Sequence, residues 1–352
     1  MGHPYRRVAL TTFIVLLIGC AFYLLIEVAE FFLLVFAGIL LAVIFCGITE
    51  WVVKKLHFSR GWALLLVVIV VLGAISSIGW FVAPTVIDQL SELRETIPKA
   101  LAKVREWVGD KSWGRNLVRE IPDQTSELIP RRGTLLSRIS NIFSSTLGVL
   151  ANMILVIMTA LFFSVNPRMY THGVVKLFAP HYRTRMLEVL ATCYATLKLW
   201  LQAMLLSMTI IGVSTAIGYT LLGLPLAITL GVLSFFLAFI PTIGAYGAAL
   251  PAALVALTQD PKLALYVIIM YIIIQMLETY LITPIIIQRT VKLPPALLLF
   301  NQVLFGILLG ALGLLLAAPI LTVVMVLIKE LYIKDVLERS INGKGLLSES
   351  KS

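Results

Sequence analysis

Residues 199 to 328 carry one apolar pattern twice, and that repeat leaves the chain few ways to fold. The first copy runs from Leu199 to Leu222 and pauses at Gly223-Leu224-Pro225. It continues through a long segment interrupted by Gly244-Ala245-Tyr246-Gly247 and closed by Pro251. The second copy runs from Leu263 to Ile287 and pauses at Lys292-Leu293-Pro294, then meets an interruption at Gly310-Ala311-Leu312-Gly313 and a close at Pro319. Unwound backbone survives inside a membrane only where it is buried in protein or lines a cavity. Matched breaks in two successive copies therefore point to a secondary transporter.

Composition supports the same class. The chain is 60% hydrophobic and only 13% charged, with a mean hydropathy of +0.99, more apolar surface than a water-soluble fold of 352 residues can hide. A formal charge of +10 could suggest nucleic acid, but the lysines and arginines sit in short clusters between apolar runs, where they orient helices. Nucleic acid is not an expected partner; the lipid bilayer is. Cys20, Cys46 and Cys193 lie in apolar or amphipathic stretches without CxxC spacing, and His3, His57, His172 and His181 are scattered near segment ends. Neither set forms a metal site, and no cofactor is expected.

Three apolar runs, 8–26, 31–53 and 62–83, are each long enough to cross a hydrocarbon core that needs about 20 helical residues. Arg6-Arg7 ahead of the first run could open a secretory signal, but no small-x-small cleavage site follows, so residues 1–83 are read as uncleaved N-terminal transmembrane helices. Residues 84–142 are rich in both acids and bases and read as an external helical insert. There Val86, Leu90, Leu93, Ile97, Leu101, Val104 and Val108 fall at helical spacing. Residues 143–198 supply a fourth crossing, 143–165, and a basic connector whose stripe of Met186, Leu187, Leu190, Tyr194 and Leu197 suits the membrane interface. Residues 199–328 are the transport core, and 329–352 form a C-terminal tail.

Charge sets the expected topology. Arg6, Arg7, Lys54, Lys55, Arg60, Arg168, Lys176, Arg183 and Arg185 flank alternate crossings, which places them and both termini in the cytoplasm and the insert outside. As one straight helix, residues 226–257 would run roughly 48 Å at ~1.5 Å per residue, against a core of about 30 Å. Folding back at Gly244 to Gly247 shortens the segment and delivers Arg289 and Lys292 to the cytoplasm. Residues 295–328 then dip in from the opposite side. The expected fold is an all-α polytopic membrane protein with about six transmembrane helices and two re-entrant helical hairpins in an inverted repeat.

The run Phe239-Ile240-Pro241-Thr242-Ile243-Gly244, then Gln275-Met276-Leu277-Glu278 with Pro284 following, then Leu293-Pro294-Pro295 and residues 306–319, resembles the signatures of the autoinducer-2 exporter family of bacterial membrane transporters. The likeness extends from the first helix to the C-terminal tail. Thr279 and Tyr280 stand where family members commonly carry Asn, and Tyr246 where a smaller or imino residue is usual. The resemblance implies a permease of the bacterial inner membrane that exports a small polar metabolite such as a quorum signal, or a cation/proton antiporter. It also implies a homo-oligomer, a pentamer.

Glu278 is the one carboxylate well inside the C-terminal repeats. Ionised in lipid it would cost at least ~2.5 kcal/mol, so it must be protonated, paired or turned to water. With Gln275, Thr279 and Thr283 it makes a polar patch that reads either as a proton- or cation-linked substrate contact or as a neutral acid bonded to an adjacent helix. Pro284 frees a carbonyl one turn back, for a ligand or merely for a kink. The breaks would bring Pro241, Thr242, Gly244, Gly247, Asn301, Gln302, Gly310 and Gly313 near the midplane, where half-helix ends and free amides can bind small polar groups. The competing reading for these residues is packing through small side chains and amide bonds. Ser207, Gly212, Ser214 and Gly218 read as a close-packing face, and Glu50 with Lys54 as a pair at a helix end. No GxxxxGK[ST] loop and no Ser/His/Asp or Cys/His arrangement is present, so neither nucleotide-driven pumping nor an enzyme is expected. A membrane scaffold that recruits partners through the insert is the remaining alternative, and it makes Glu278 dispensable.

Overall fold

A computed structural model describes residues 28–74, 76–77, 80, 135–282 and 294–338. The expected first helix, residues 84–134 of the expected insert, Thr283, Pro284, Arg289 and Lys292 lie outside the described residues. Among those described, every regular element is a helix and none is a strand. Among the described residues, five helices are long and apolar enough to cross a membrane.

Helix α1 (Ala29–Leu56) carries the second apolar run and ends on His57, whose left-handed backbone returns an N–H to the Val53 carbonyl. Helix α2 (Arg60–Ala74) begins the third run. Helix α3 (Leu135–Val165) starts eight residues ahead of the expected crossing, within the segment assigned to the insert. Pro167 then opens α4 (Pro167–Val175), where its missing N–H costs nothing. In lipid, apolar contact alone does not drive helices together, so close approach must. Gly38 supplies it for α1, its face lying against Thr159 of α3 so tightly that a Cβ there would sit 2.6 Å from the threonine Cβ. Phe45, Ala63, Val67 and Ala160 fill the space between α1, α2 and α3.

Helix α5 (Arg183–Leu221) is the spine of the molecule, 39 unbroken residues that span about 58 Å. The stripe expected at the membrane interface belongs to this helix. Of its members, Met186 packs on the cluster of Val189, Cys193 and Val326, and Tyr194 and Leu197 pack on that of Leu33, Leu40 and Leu316. An inward stripe and an interfacial one both present apolar residues every third or fourth position. Gly223 closes α5 in a left-handed cap, with Gly223 N–H donating to the Thr220 carbonyl and Leu224 N–H to the Tyr219 carbonyl at 2.9 Å.

Helices α6 (Ala227–Leu237) and α7 (Ile243–Gln259) follow, and Pro261 opens α8 (Pro261–Leu277), capped by the Asp260 carboxylate on Lys262 N–H. Helix α8 widens into a π-helical turn, Glu278–Ile282. The last helix, α9 (Pro295–Leu327), has a break inside it at Gly310 and runs on as a wide-wound segment, Ile328–Glu338. That segment is clamped to the start of α5. Arg185 Nε donates to both oxygens of Asp335 at 3.0 and 3.2 Å, and its Nη2 bonds both the side chain and the carbonyl of buried Glu330, which Lys334 also reaches.

Candidate transport site

Both long segments of the repeat are broken helices, and the second turns back on itself. Asn301 Nδ2 donates to the Ala317 carbonyl at 2.8 Å, although sixteen residues separate the two. In a straight helix they would lie about 24 Å apart. A Cβ on Gly313 would sit 2.3 Å from the Phe305 carbonyl oxygen, and one on Gly306 would touch Leu314 at 3.7 Å. The pairs 301/317, 305/313 and 306/314 centre on residues 309 and 310, and Gly310 there has a φ of 66° and ψ of −149° that no side-chain-bearing residue adopts without strain.

In the first segment the break falls at residues 238–242, earlier than the glycines suggest. Gly244 and Gly247 both lie inside α7. Gly244 is needed for closeness: a Cβ on it would lie 1.7 Å from the Leu237 carbonyl oxygen. The turn itself is made by Pro241 and Thr242. Ile243 N–H donates back to the Pro241 carbonyl at 2.8 Å, and Thr242 sits at φ 69°, ψ −65°, the rarer and strained hand of the γ-turn. A β-branched residue there stores on the order of 1–3 kcal/mol. Thr242→Gly is accordingly expected to raise the thermal unfolding midpoint by an amount equivalent to about 1 kcal/mol, after the extra chain entropy of glycine is subtracted; a lowered midpoint would mean that the threonine conformation is not strained.

The two breaks meet. Gln302 Nε2 donates to the Pro241 carbonyl at 3.0 Å, and Gln302 is fully buried with its Oε1 unpartnered among the described residues. Phe239, at the first break, stands edge-on to Trp200 of α5, ring centroids 6.0 Å apart, and Leu309 and Leu312 from the second break pack on the same cluster. The amides of Asn301 and Gln302 thus staple the breaks, one within its own hairpin and one across to the other.

Seven residues along α5 from Trp200, on the same face, Ser207 Oγ donates to Glu278 Oε1 at 2.8 Å. Gln275 Nε2 and Thr279 Oγ1 reach Glu278 Oε2 at 3.1 and 3.3 Å. Gln275 Oε1 is buried with no hydrogen-bond partner among the described residues. Helices α5 and α8 run antiparallel here, since Gly218 faces Met270 while Ser207 meets Glu278. From Leu221 back to Ser207 the helix rises about 21 Å, so the carboxylate lies well inside α5 and away from its Leu221 end. Glu278 also begins the π-helical turn, a winding that often marks functional positions.

The sequence reading placed Ser207 in a packing face, and the structure gives it a polar partner instead. Its neighbours Gly212 and Gly218 do pack closely, against Phe235 and Met270. Glu50, expected to pair with Lys54, is held by Lys198 Nζ and by Tyr194 Oη at 2.7 Å. Nothing in the sequence separates a small hydroxyl that packs from one that donates.

A broken-helix pair is thus stapled to a second one beside a hydrogen-bonded carboxylate, and comparison with known proteins gives the family. Residues 10–333 match the profile of the AI-2E family transporter. The chain belongs to the AI-2E transporter family. It is similar to the candidate transport protein YueF of Bacillus subtilis, 28% identical over 81% of this chain and 80% of that one. The candidate permease PerM of Escherichia coli K12 is 26% identical over 82% and 85% respectively. A candidate transport protein of Mycobacterium tuberculosis matches 47% of this chain and 46% of its own length at 33% identity. This AI-2E family member is therefore a multi-pass membrane protein with a role in transport.

Proposed function

We propose that the protein is a secondary transporter that exports a small polar metabolite, an autoinducer-2-like signal, across the bacterial inner membrane. One observation carries the reading: the Gln302–Pro241 bond joins two helix breaks within two turns, along α5, of the Glu278 carboxylate. Broken helices in lipid need a reason, and a solute cavity between them is the usual one. In this reading both broken pairs are re-entrant, the first opening outward and the second inward, so that each repeat inverts the other. Solute sits against the free backbone at the breaks. Glu278 takes up and releases a proton as the cavity changes sides, while Ser207, Gln275 and Thr279 orient it. The protein works as a homo-oligomer, a pentamer by family resemblance, with both termini in the cytoplasm.

Cysteine accessibility tests the hairpin arrangement. Single cysteines at Gln259 and Ser112 should both react with an impermeant reagent from outside; reaction of Gln259 only from the cytoplasm would make 226–257 a full crossing and end the inverted-repeat reading.

A cation/proton antiporter is the second reading, favoured by the unpartnered Gln275 Oε1 beside the Glu278 carboxylate, since two oxygens on adjacent turns suit a small cation. Sodium-dependent proton movement in everted vesicles selects it, and signal export without sodium dependence rejects it.

A further inference from the structure

A cavity of about 200 Å³ with charged groups at its rim opens between α1, α2 and the end of α3, away from the Glu278 site. Its floor is buried and offers only acceptors. Thr49 and Ser164 are 4% and 1% exposed, and their hydroxyls already donate to the Phe45 and Ala160 carbonyls. Its rim is charged, and the charges do not balance. Glu50, the acid at the rim, is engaged by Lys198 and Tyr194 from outside the cavity. Lys54 acts on Glu50 through space but makes no hydrogen bond or salt bridge among the described residues, and Arg60 spends one nitrogen on a long 3.5 Å contact to the Ser164 carbonyl and also meets the Cys46 thiol. Two cations with spare donors therefore face a hollow whose one carboxylate is already paired.

Such a rim calls for an anion with several oxygens, because a guanidinium fork and an ammonium together match a phosphate. The acceptor floor adds a second requirement: the ligand must bring hydroxyl donors of its own. A phosphodiester of a polyol meets both. Trp51, next in sequence to lining Glu50, and Trp62, two residues past lining Arg60, are 58% and 71% exposed, and Lys55 stands 4.9 Å over the Trp51 ring, which sets the cavity at headgroup depth. Exposed tryptophans of this kind mark the membrane interface. Basic hollows between transmembrane helices at that depth are headgroup sites.

We infer that Lys54 and Arg60 hold the phosphate of a polyol phosphodiester in this cavity, supplied by an anionic phospholipid of the phosphatidylglycerol type. The two free glycerol hydroxyls donate to Thr49 and Ser164. The lipid so held bridges α1, α2 and α3. Its binding is independent of transport through the Glu278 site.

The test uses the full-length protein in detergent, with phosphatidylglycerol, phosphatidylcholine or inorganic phosphate added separately, read by native mass spectrometry and thermal unfolding. Wild-type protein is expected to retain phosphatidylglycerol over phosphatidylcholine and to unfold at higher temperature with it. Arg60→Gln and Lys54→Gln should each weaken that binding roughly fivefold. Lys55→Gln removes the same charge one residue along, outside the cavity, and should leave it unchanged. Stabilisation by inorganic phosphate, lost in the same two variants while phosphatidylglycerol is inert, keeps the phosphate site and moves its source to the solvent. Equal retention of both lipids, or an equal loss from Lys55→Gln, overturns the proposal. Should Arg60→Gln fail to fold, Lys54→Gln decides alone.

Discussion

Gly313→Ala and Gly244→Ala are expected to destabilise the protein severely, although alanine is the better helix former at both positions. In an exposed straight helix, replacing glycine by alanine gains about 1 kcal/mol. Here the new Cβ of residue 313 would lie 2.3 Å from the Phe305 carbonyl oxygen and 2.6 Å from Leu309 Cβ, and that of residue 244 would lie 1.7 Å from the Leu237 carbonyl oxygen. Backbone atoms cannot swing aside as side-chain ends do, so whole helix arms must shift. Overpacking of this kind costs ~3 kcal/mol or more. Gly306→Ala is the internal control: its nearest neighbour would be Leu314 at 3.7 Å, ordinary contact, so its stability should be unchanged or slightly raised. Thermal unfolding and size-exclusion profiles of the three variants give the answer. Equal tolerance of all three would mean that the arms do not fold back at Gly310 and at 238–242.

Replacing Glu278 by Gln is expected to slow transport by on the order of 10²-fold, the scale at which a positioned proton-transfer group contributes. The amide keeps the size of the side chain and one acceptor for Ser207. It forfeits the acceptor that Gln275 and Thr279 share. Losing that costs about 1–2 kcal/mol, too little to unfold the protein. Folding, membrane insertion and oligomer size should therefore persist while flux in vesicles disappears. Ser207→Ala is the companion variant. It removes one donor but keeps the carboxylate, and should retain measurable flux. Wild-type flux by Glu278→Gln would return the residue to a structural role.

Much of this architecture is written in residue types. Gly223 ahead of Leu224-Pro225 announces the end of α5, and it serves as a left-handed cap there. The second interruption, Gly310 to Gly313, contains the residue at which α9 turns back. The first interruption misleads because glycine has two uses. At Gly310 it supplies a forbidden backbone angle, whereas at Gly244 it supplies closeness inside a helix, and sequence spacing cannot tell the two apart. The actual turn rests on Thr242, a residue whose type argues against its own conformation. Such strain is visible only once the surrounding structure enforces it. Glu278 is conspicuous in sequence as an acid amid apolar residues. Its donor Ser207 is not, lying 71 positions away as one hydroxyl in an apolar run. The tip-to-tip bond from Gln302 to Pro241 is likewise a long-range contact, set by how α9 and the α6–α7 break dock on Trp200.

Transport by the purified protein alone is the most direct test of the account. The full-length chain is placed in sealed liposomes without nucleotide, a pH gradient is imposed, and autoinducer-2 and sodium are supplied in separate samples while internal pH and solute are followed. The wild-type protein should move one of the two at a rate that depends on the gradient, and Glu278→Gln liposomes should match protein-free ones. Wild-type liposomes indistinguishable from empty ones with both solutes, or Glu278→Gln liposomes as fast as wild type, would contradict it.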